Sequence, residues 1–372
     1  MDTTLNPYPI ALARIPGLGA KSIRQLLTLC TSPEEVFNLS HTQLVEVFGK
    51  HTAIIKSIES KHTLMQAEQE LPELQRYGIR TLFFTQPQYP QRLNCAGCED
   101  APVLLYQLGS CNLNSQHQIA FVGARKCTDY GRRTTAQLVQ EVSADKPVIV
   151  SGLAYGIDTA AHTAAVETDI PTVAVLGHGL DTIYPSDNRL LAKRILDHGG
   201  ALLSEYPLHA PISPSNFPAR NRIVAALSDA IVVVESGERG GALITANIAF
   251  GYHREVFAVP GRLGDPASEG CNNLIANNKA LIIRNAGDLY FQLGWKTAMV
   301  GRRYHEEQQS LFASLAPDEQ QVVDILQSCR EASLDELADK AGFSLPKTAT
   351  ILMNLELKKV LYCLPGRLYK LS

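Results

Sequence analysis

No apolar stretch in this 372-residue chain approaches the length that spans a bilayer, and residues 1–20 lack the basic and apolar regions of a secretory signal. A cytoplasmic protein with no membrane partner is expected. Charge of one sign is also missing, since 34 Lys and Arg stand against 37 Asp and Glu for a net charge of −3. Without the basic excess of many nucleic-acid binders, affinity for a polyanion has to come from a local patch. Of the eight cysteines only Cys95 and Cys98 have ligand-like spacing; no second Cys or His pair follows at a finger distance, and Cys111 and Cys127 are isolated. Reduced thiols are expected, with no metal and no cofactor. A GxxxxGK[ST] loop is absent, and Gly177-His178-Gly179 lacks the third glycine and acidic ribose ligand of a dinucleotide fingerprint. A Ser151, His162 and Asp158 set can be assembled on paper, but no nucleophile elbow supports it.

What is present begins with a hydrophobic content of 45% and a charged content of 19%, as in a soluble globular protein of two or three domains. Between residues 118 and 284 lie short, nearly unbroken apolar runs: Ile119 to Gly123, Val148 to Gly152, Thr172 to Gly177, Ala201 to Glu205, Ile231 to Glu235, Glu255 to Pro260 and Ala280 to Arg284. Such runs fit strands covered on both faces. Stretches with helical spacing separate most of them: Asp129 to Ala144, Ile157 to Glu167, Asp187 to His198, Phe217 to Leu227 and Gly241 to Tyr252. Strand alternating with helix predicts an α/β fold, a Rossmann-like, doubly wound and mostly parallel sheet. Two more runs, Thr81 to Thr85 and Val103 to Gln107, are expected to add strands at its edge.

In such sheets ligands bind beyond the carboxyl ends of the strands, where turns expose N–H groups and helix N-termini add positive potential. The turns there read VGAR from Val122, SGLAYGID from Ser151, a glycine-rich turn ending in IYP at Ile183, FPARNRI from Phe217, GGALITA from Gly240, VPG from Val259 and GCNNLI from Gly270. Each alone has an ordinary steric explanation; their order together is specific. Arg125, Lys126, Arg132, Arg133, Arg220, Arg222 and Arg239 can supply the local basic patch.

This series of turns resembles the DNA-processing protein A family, DprA or Smf, whose members bind single-stranded DNA in natural transformation. The resemblance covers the central region almost completely and departs at Ala124 and Gly240, where the family usually has serine. It implies that Gly123, Ala124, Arg125, Ser151, Gly152, Phe217, Arg220, Asn221, Arg222, Gly240, Gly241 and Thr245 form the DNA-binding surface, with no catalytic residue. Phosphates would lie on the amides of Gly123, Gly152 and Gly240-Gly241 and on Arg125, Arg220 and Arg222, with Tyr155, Tyr184 and Phe217 as candidates for stacking on bases. It further implies loading of the RecA recombinase onto incoming strands and a homodimer through the central domain. The competing reading is a nucleoside-monophosphate phosphoribohydrolase of the LOG type, which the central fold also resembles. That family carries a catalytic glutamate three residues after the threonine of its glycine-rich turn, whereas Thr245 is followed at that spacing by Ile248.

The segments on either side are helical. Residues 1–75 read as an N-terminal helix-hairpin-helix or SAM-like domain, with a tight Ile15-Pro16-Gly17-Leu18-Gly19-Ala20-Lys21 hairpin. That hairpin is either a phosphate holder built on its amides and Lys21 or an αα-hairpin whose glycines only allow close packing. Residues 76–294 form the central domain and 295–312 a polar linker. Residues 313–372 read as a winged helix, with helices Asp318 to Ser328, Ser333 to Ala341 and Ser344 to Lys358 followed by a hairpin. Its third helix offers only Lys347, Lys358 and Lys359 beside several leucines, too few polar readers to favour base recognition over a protein-interaction or weak backbone-binding role.

Overall fold

The structure, a computed structural model, describes residues 5–95, 97–295, 315–329, 332–358, 360–364 and 368–371. It contains two compact units, 1–295 and 296–372. The first opens with six helices: α1 (Pro7–Ala13), α2 (Ala20–Leu29), α3 (Pro33–Val36), α4 (His41–Phe48), α5 (Thr52–Glu59) and α6 (His62–Tyr77). Strands β1 (Arg80–Phe83), β2 (Leu104–Gly109) and β3 (Gln118–Val122) follow. The alternating part then runs α7 (Asp129–Val142), β4 (Val148–Ser151), α8 (Ile157–Glu167), β5 (Thr172–Leu176), α9 (Arg189–Asp197) and β6 (Ala201–Ser204). It continues through α10 (Asn216–Leu227), β7 (Ala230–Val233), α11 (Gly241–Gly251), β8 (Glu255–Ala258), α12 (Glu269–Ala276), β9 (Leu281–Ile282) and α13 (Ala286–Leu293).

The nine strands form one sheet in the order β1-β2-β6-β5-β4-β3-β7-β8-β9. Its seven strands from β6 to β9 pair in parallel, with Ala120 of β3 opposite Val150 of β4 and Ile231 of β7. β2 joins β6 antiparallel and β1 joins β2 antiparallel, so the two early runs do lie at the edge. The last run is shorter than its apolar length suggests, because Arg284 leaves the sheet to pair with Asp288. From β3 the chain winds towards β4 on one side, and on its return places β7 on the other. The sheet therefore reverses its order between β3 and β7, the crevice where doubly wound sheets bind ligands.

Unbroken runs such as Val148–Ser151 and Ala230–Val233 are buried at every position, as the lack of alternation predicts for a sheet covered on both faces. One apolar layer holds Val150, Val173, Ile231 and the helices α10 and α11. The other joins Phe83, Tyr106, Leu176 and Leu202 to Ile10, Leu12, Leu44 and Leu74 of the N-terminal helices. The sequence division at residue 75 thus falls inside one compact unit, whose helices and sheet share a core. In the α1–α2 hairpin Leu18 N–H donates to Ile15 O, and Lys21 pairs with Glu99 at 2.6 Å on an exposed surface.

Helix α6 also ties down the chain that leads from β6 into α10. Glu70 accepts the Leu208 amide, and His209 bridges Glu73 at 3.0 Å and Asp181 at 3.2 Å. The hydrogen bond to Glu73 is the largest of the effects that raise the His209 pKa above its ordinary 6.5. A raised imidazole pKa contributes stability that is complete below the unfolded value and lost as pH climbs through the folded one. Melting temperature is therefore expected to fall as pH rises from about 6.5 upward, and His209→Gln to flatten that part of the profile in a calorimetric series.

The second unit has helices Pro317–Ser328, Leu334–Ala341 and Leu345–Leu357, and strands Ala332–Ser333, Leu361–Leu364 and Leu368–Leu371 in the order first, third, second. Ser333 caps the middle helix through a capping box with Glu336, as its Ser-x-x-Glu spacing predicts. Lys358 pairs with Glu319 and Lys347 with Asp318, so two of the three cations expected near the third helix are spent on internal pairs; Lys359 lies outside the described residues. The expected linker lies outside the described residues too, apart from Trp295, which stacks on His117.

Candidate nucleic-acid interface

The switch point between β3 and β7 opens into a cavity of about 430 Å³. Gly123, Ala124 and Arg125 line it from the turn after β3, Ser236 and Gly237 from the turn after β7, and Phe217, Arg220 and Asn221 from the first turns of α10. Gly240, Gly241 and Thr245 complete it from the start of α11. Nine of the twelve residues singled out in the sequence therefore meet in one place. Ser151, Gly152 and Arg222 do not line it.

The start of α11 is built to meet an anion. Gly240 occupies the cap position with extended backbone and makes no side-chain cap bond, so the first-turn amides lack the usual hydroxyl or carboxylate partner. Leu243 N–H turns back to Gly240 O at 3.1 Å, which leaves the first two amides, at the positive end of an eleven-residue helix, to attract negative charge. A Cβ at Gly240 would lie 2.1 Å from Ser236 Oγ, so a larger residue here requires that hydroxyl to rotate away.

Arg220 supplies the charge beneath. Its side chain is buried at 4% exposure, donates to Val175 O, and leaves Nε without a partner. Asp158 lies in the same buried space, accepting the amides of Gly152 at 3.1 Å and Ala154 at 3.3 Å. Burial raises the Asp158 pKa and lowers that of Arg220, while each charge partly restores the other. The Gly152 amide is therefore not a free phosphate donor, contrary to the expectation from sequence; the residue is small because a Cβ there would lie 2.0 Å from the Arg220 guanidinium. Gly152→Ala is expected to overpack this space and cost about 1–3 kcal/mol, read by chemical denaturation.

Other expectations are corrected in the same way. The Ala124 amide donates to Glu235 O at 2.8 Å, so this residue lines the cavity without offering its N–H. Ser151 gives its hydroxyl to Phe121 O at 2.6 Å, joining β4 to β3. Arg222 pairs with Glu205 and turns away from the cavity. His162 does not pair with Asp158: its Nδ1 meets Thr172 Oγ1 at 2.7 Å, and burial pushes the imidazole down to about 3. No serine relay is assembled. Glu235, the carboxylate that opens the glycine-rich turn at the end of β7, is buried and holds the Thr128 amide at 2.8 Å together with the Thr128 hydroxyl. It straps the start of α7 to the end of β7.

At the rim Arg125 is exposed, with its guanidinium 5.7 Å from the centre of the Phe217 ring. The Tyr184 ring lies 5.7 Å from that of Phe217, centre to centre, and is 45% exposed. Tyr155 is exposed as well, its hydroxyl bonded to Asp187 at 3.1 Å, and does not line the cavity. Ser236, Gly237 and Pro214 also line the cavity, outside the twelve residues expected from sequence. For the first two the signal was present, since they continue the turn after Glu235.

A glycine-rich cavity at the switch point of a Rossmann-like sheet, in a chain that also carries a winged-helix unit, defines an α/β protein with an appended small domain. Residues 80–294 match the family described as DNA recombination-mediator protein A, and 306–367 match the DprA winged helix domain. The chain belongs to the DNA recombination-mediator protein A family. It is similar to Protein Smf of Escherichia coli, 36% identical over 283 residues that cover 75% of this chain and 74% of that protein. It is also similar to a putative DNA processing protein DprA of Mycobacterium tuberculosis, 32% identical over 98% of this chain and 94% of that protein. Among solved structures, DprA of Streptococcus pneumoniae superposes with a TM-score of 0.66 at 32% identity, over 77% of this chain and 97% of its own. DNA processing protein A of Helicobacter pylori, solved to describe its single-stranded DNA binding mode, gives 0.52 at 30% identity, over 58% of this chain and 96% of its own.

Proposed function

We propose that this chain binds single-stranded DNA through the switch-point cradle, protects incoming strands in natural transformation and loads the RecA recombinase onto them, without catalysing a reaction. The observation that carries this reading is the convergence of Arg125, Arg220 and the uncapped start of α11 on one cavity with aromatic rings at its rim. Backbone amides and guanidinium groups hold phosphates without reading sequence, and rings accept any base by stacking, worth about 1–3 kcal/mol per base. DNA processing by relatives of this family supports the assignment, as does the single-strand binding described for the Helicobacter pylori protein. Loading of RecA and pairing of two copies through the central domain extend it; two cradles on one strand raise apparent affinity through effective concentration. A cytoplasmic location follows from such a role, and no described helix is long and apolar enough to cross a membrane.

The phosphoribohydrolase reading loses support at its central residue. Ile248 stands at the position of the catalytic glutamate and packs against the apolar layer under α11. Fluorescence anisotropy with labelled oligothymidine and a matched duplex across a salt series tests the proposal, with nucleoside-monophosphate hydrolysis assayed alongside. Tight, salt-sensitive preference for the single strand without release of free base is expected. Base release without strand binding would transfer the cradle to the hydrolase reading.

A further inference from the structure

At the opposite end of the sheet, beside the starts of β3 and β7, the chain between β1 and β2 carries Cys95 and Cys98. Arg92 fixes this stretch by pairing with Asp229 at 2.7 Å, and Asp229 in turn accepts the amide of Gln118 at 2.9 Å. The two sulfurs lie 3.2 Å apart, closer than an ordinary non-bonded contact and about 1.2 Å beyond the length of a disulfide bond. Both thiols are free.

The two cysteines differ. Cys98 is 2% exposed, and burial, assisted by the hydrogen bond with Cys95, pushes its thiol up to about 12. Cys95 is partly exposed, and the Arg254 guanidinium lies 3.3 Å from its sulfur. Of the two sulfurs, Cys95 is thus the one that a small disulfide in solution can reach, with a cation beside it to face the charge of the attacking thiol. Arg254 also donates to Ala226 O at 3.1 Å near the end of α10, and Tyr252, just past α11, donates to Asp100 at 2.5 Å. The pair thus abuts the tails of the two helices whose first turns line the cradle.

We propose that Cys95 and Cys98 are a redox-active dithiol, with Cys95 the attacking and Cys98 the resolving thiol, and a low-molecular-weight disulfide as oxidant. The Cys95 thiolate attacks one sulfur of the small disulfide, forming a mixed disulfide and expelling one small thiolate, which takes a proton from water. Cys98 then loses its proton to solvent and attacks the Cys95 sulfur, closing the intramolecular bond and expelling the second small thiol. One dithiol and one small disulfide become one protein disulfide and two small thiols. Formation of the mixed disulfide removes the Cys95 hydrogen bond that holds the Cys98 proton, so the first step eases the second.

The test equilibrates the full chain with glutathione buffers from fully reduced to fully oxidised, alkylates free thiols and maps the peptides by mass. In the native protein, the peptide holding Cys95 and Cys98 should lose the mass of two hydrogens and resist alkylation, while the other cysteines remain alkylated. Cys98→Ser should stop at a glutathione adduct on Cys95, and Cys95→Ser should leave Cys98 unmodified. Free Cys95 and Cys98 at every ratio would overturn the proposal. So would a Cys98→Ser protein without an adduct, and peptide mapping on the native chain decides the matter even where a variant fails to fold.

Discussion

Arg220→Met is expected to lower the unfolding free energy of the first unit by about 3–5 kcal/mol, the cost of leaving the buried Asp158 carboxylate without its cation. The measurement is urea denaturation followed by circular dichroism. Asp158 already has its pKa raised by burial, and Arg220 is the largest of the influences that hold it down. Removing the guanidinium drives the carboxyl towards its neutral form, which still accepts the Gly152 and Ala154 amides but more weakly than the carboxylate does. The double variant Asp158→Asn with Arg220→Met should recover a substantial part of the loss, because both buried charges then disappear together. A single variant as stable as the parent protein would mean that water reaches the cradle floor.

Arg125→Ala should separate binding from folding. Arg125 is exposed and makes its closest aromatic contact with Phe217 at 5.7 Å, so its removal costs little stability. Loss of one charged phosphate contact weakens single-strand affinity about tenfold or more. The salt dependence should flatten by about 0.7 in the slope of log affinity against log salt. Arg222→Ala is the matched control. Paired with Glu205 and outside the cavity, it should lose some stability and keep the parent slope. An unchanged slope for Arg125→Ala in a folded protein, by anisotropy titration, would remove the cradle from the proposed strand path.

Much of this was legible in the chain. Runs such as Ile231 to Glu235 announced buried parallel strands because they do not alternate, and the glycine-rich ends marked where the sheet presents its turns. The turns after β3 and β7 and the starts of α10 and α11 do converge on one cavity. What sequence could not supply was the partner each polar group chooses once the turns meet. The Gly152 amide goes to Asp158, six residues on, and Arg222 goes to Glu205 across a loop. Ser151 takes Phe121 O from a neighbouring strand, thirty residues earlier in the chain. Such choices depend on distances between turns that no local pattern records. Amphipathic helices at the N-terminus showed that a face is buried, but not that the sheet covers it, as Leu44 and Leu74 reveal in the shared core.

Beneath the cradle lie two histidines and one arginine, and burial treats them differently. His162 is held down to about 3 and His178 below its ordinary value, so both imidazoles are neutral where cells live, while a guanidinium keeps its proton throughout. Of these three groups only the guanidinium is charged, and it does not titrate. A phosphodiester has no proton to exchange near neutrality either, so of the groups at the floor it is the Asp158 carboxyl, its pKa raised by burial, that can make the grip on an anion depend on pH. Acidification tightens the His209 clasp on Glu73 and Asp181, so below neutrality the chain that leads into α10 is held harder and the site would report that change of shape.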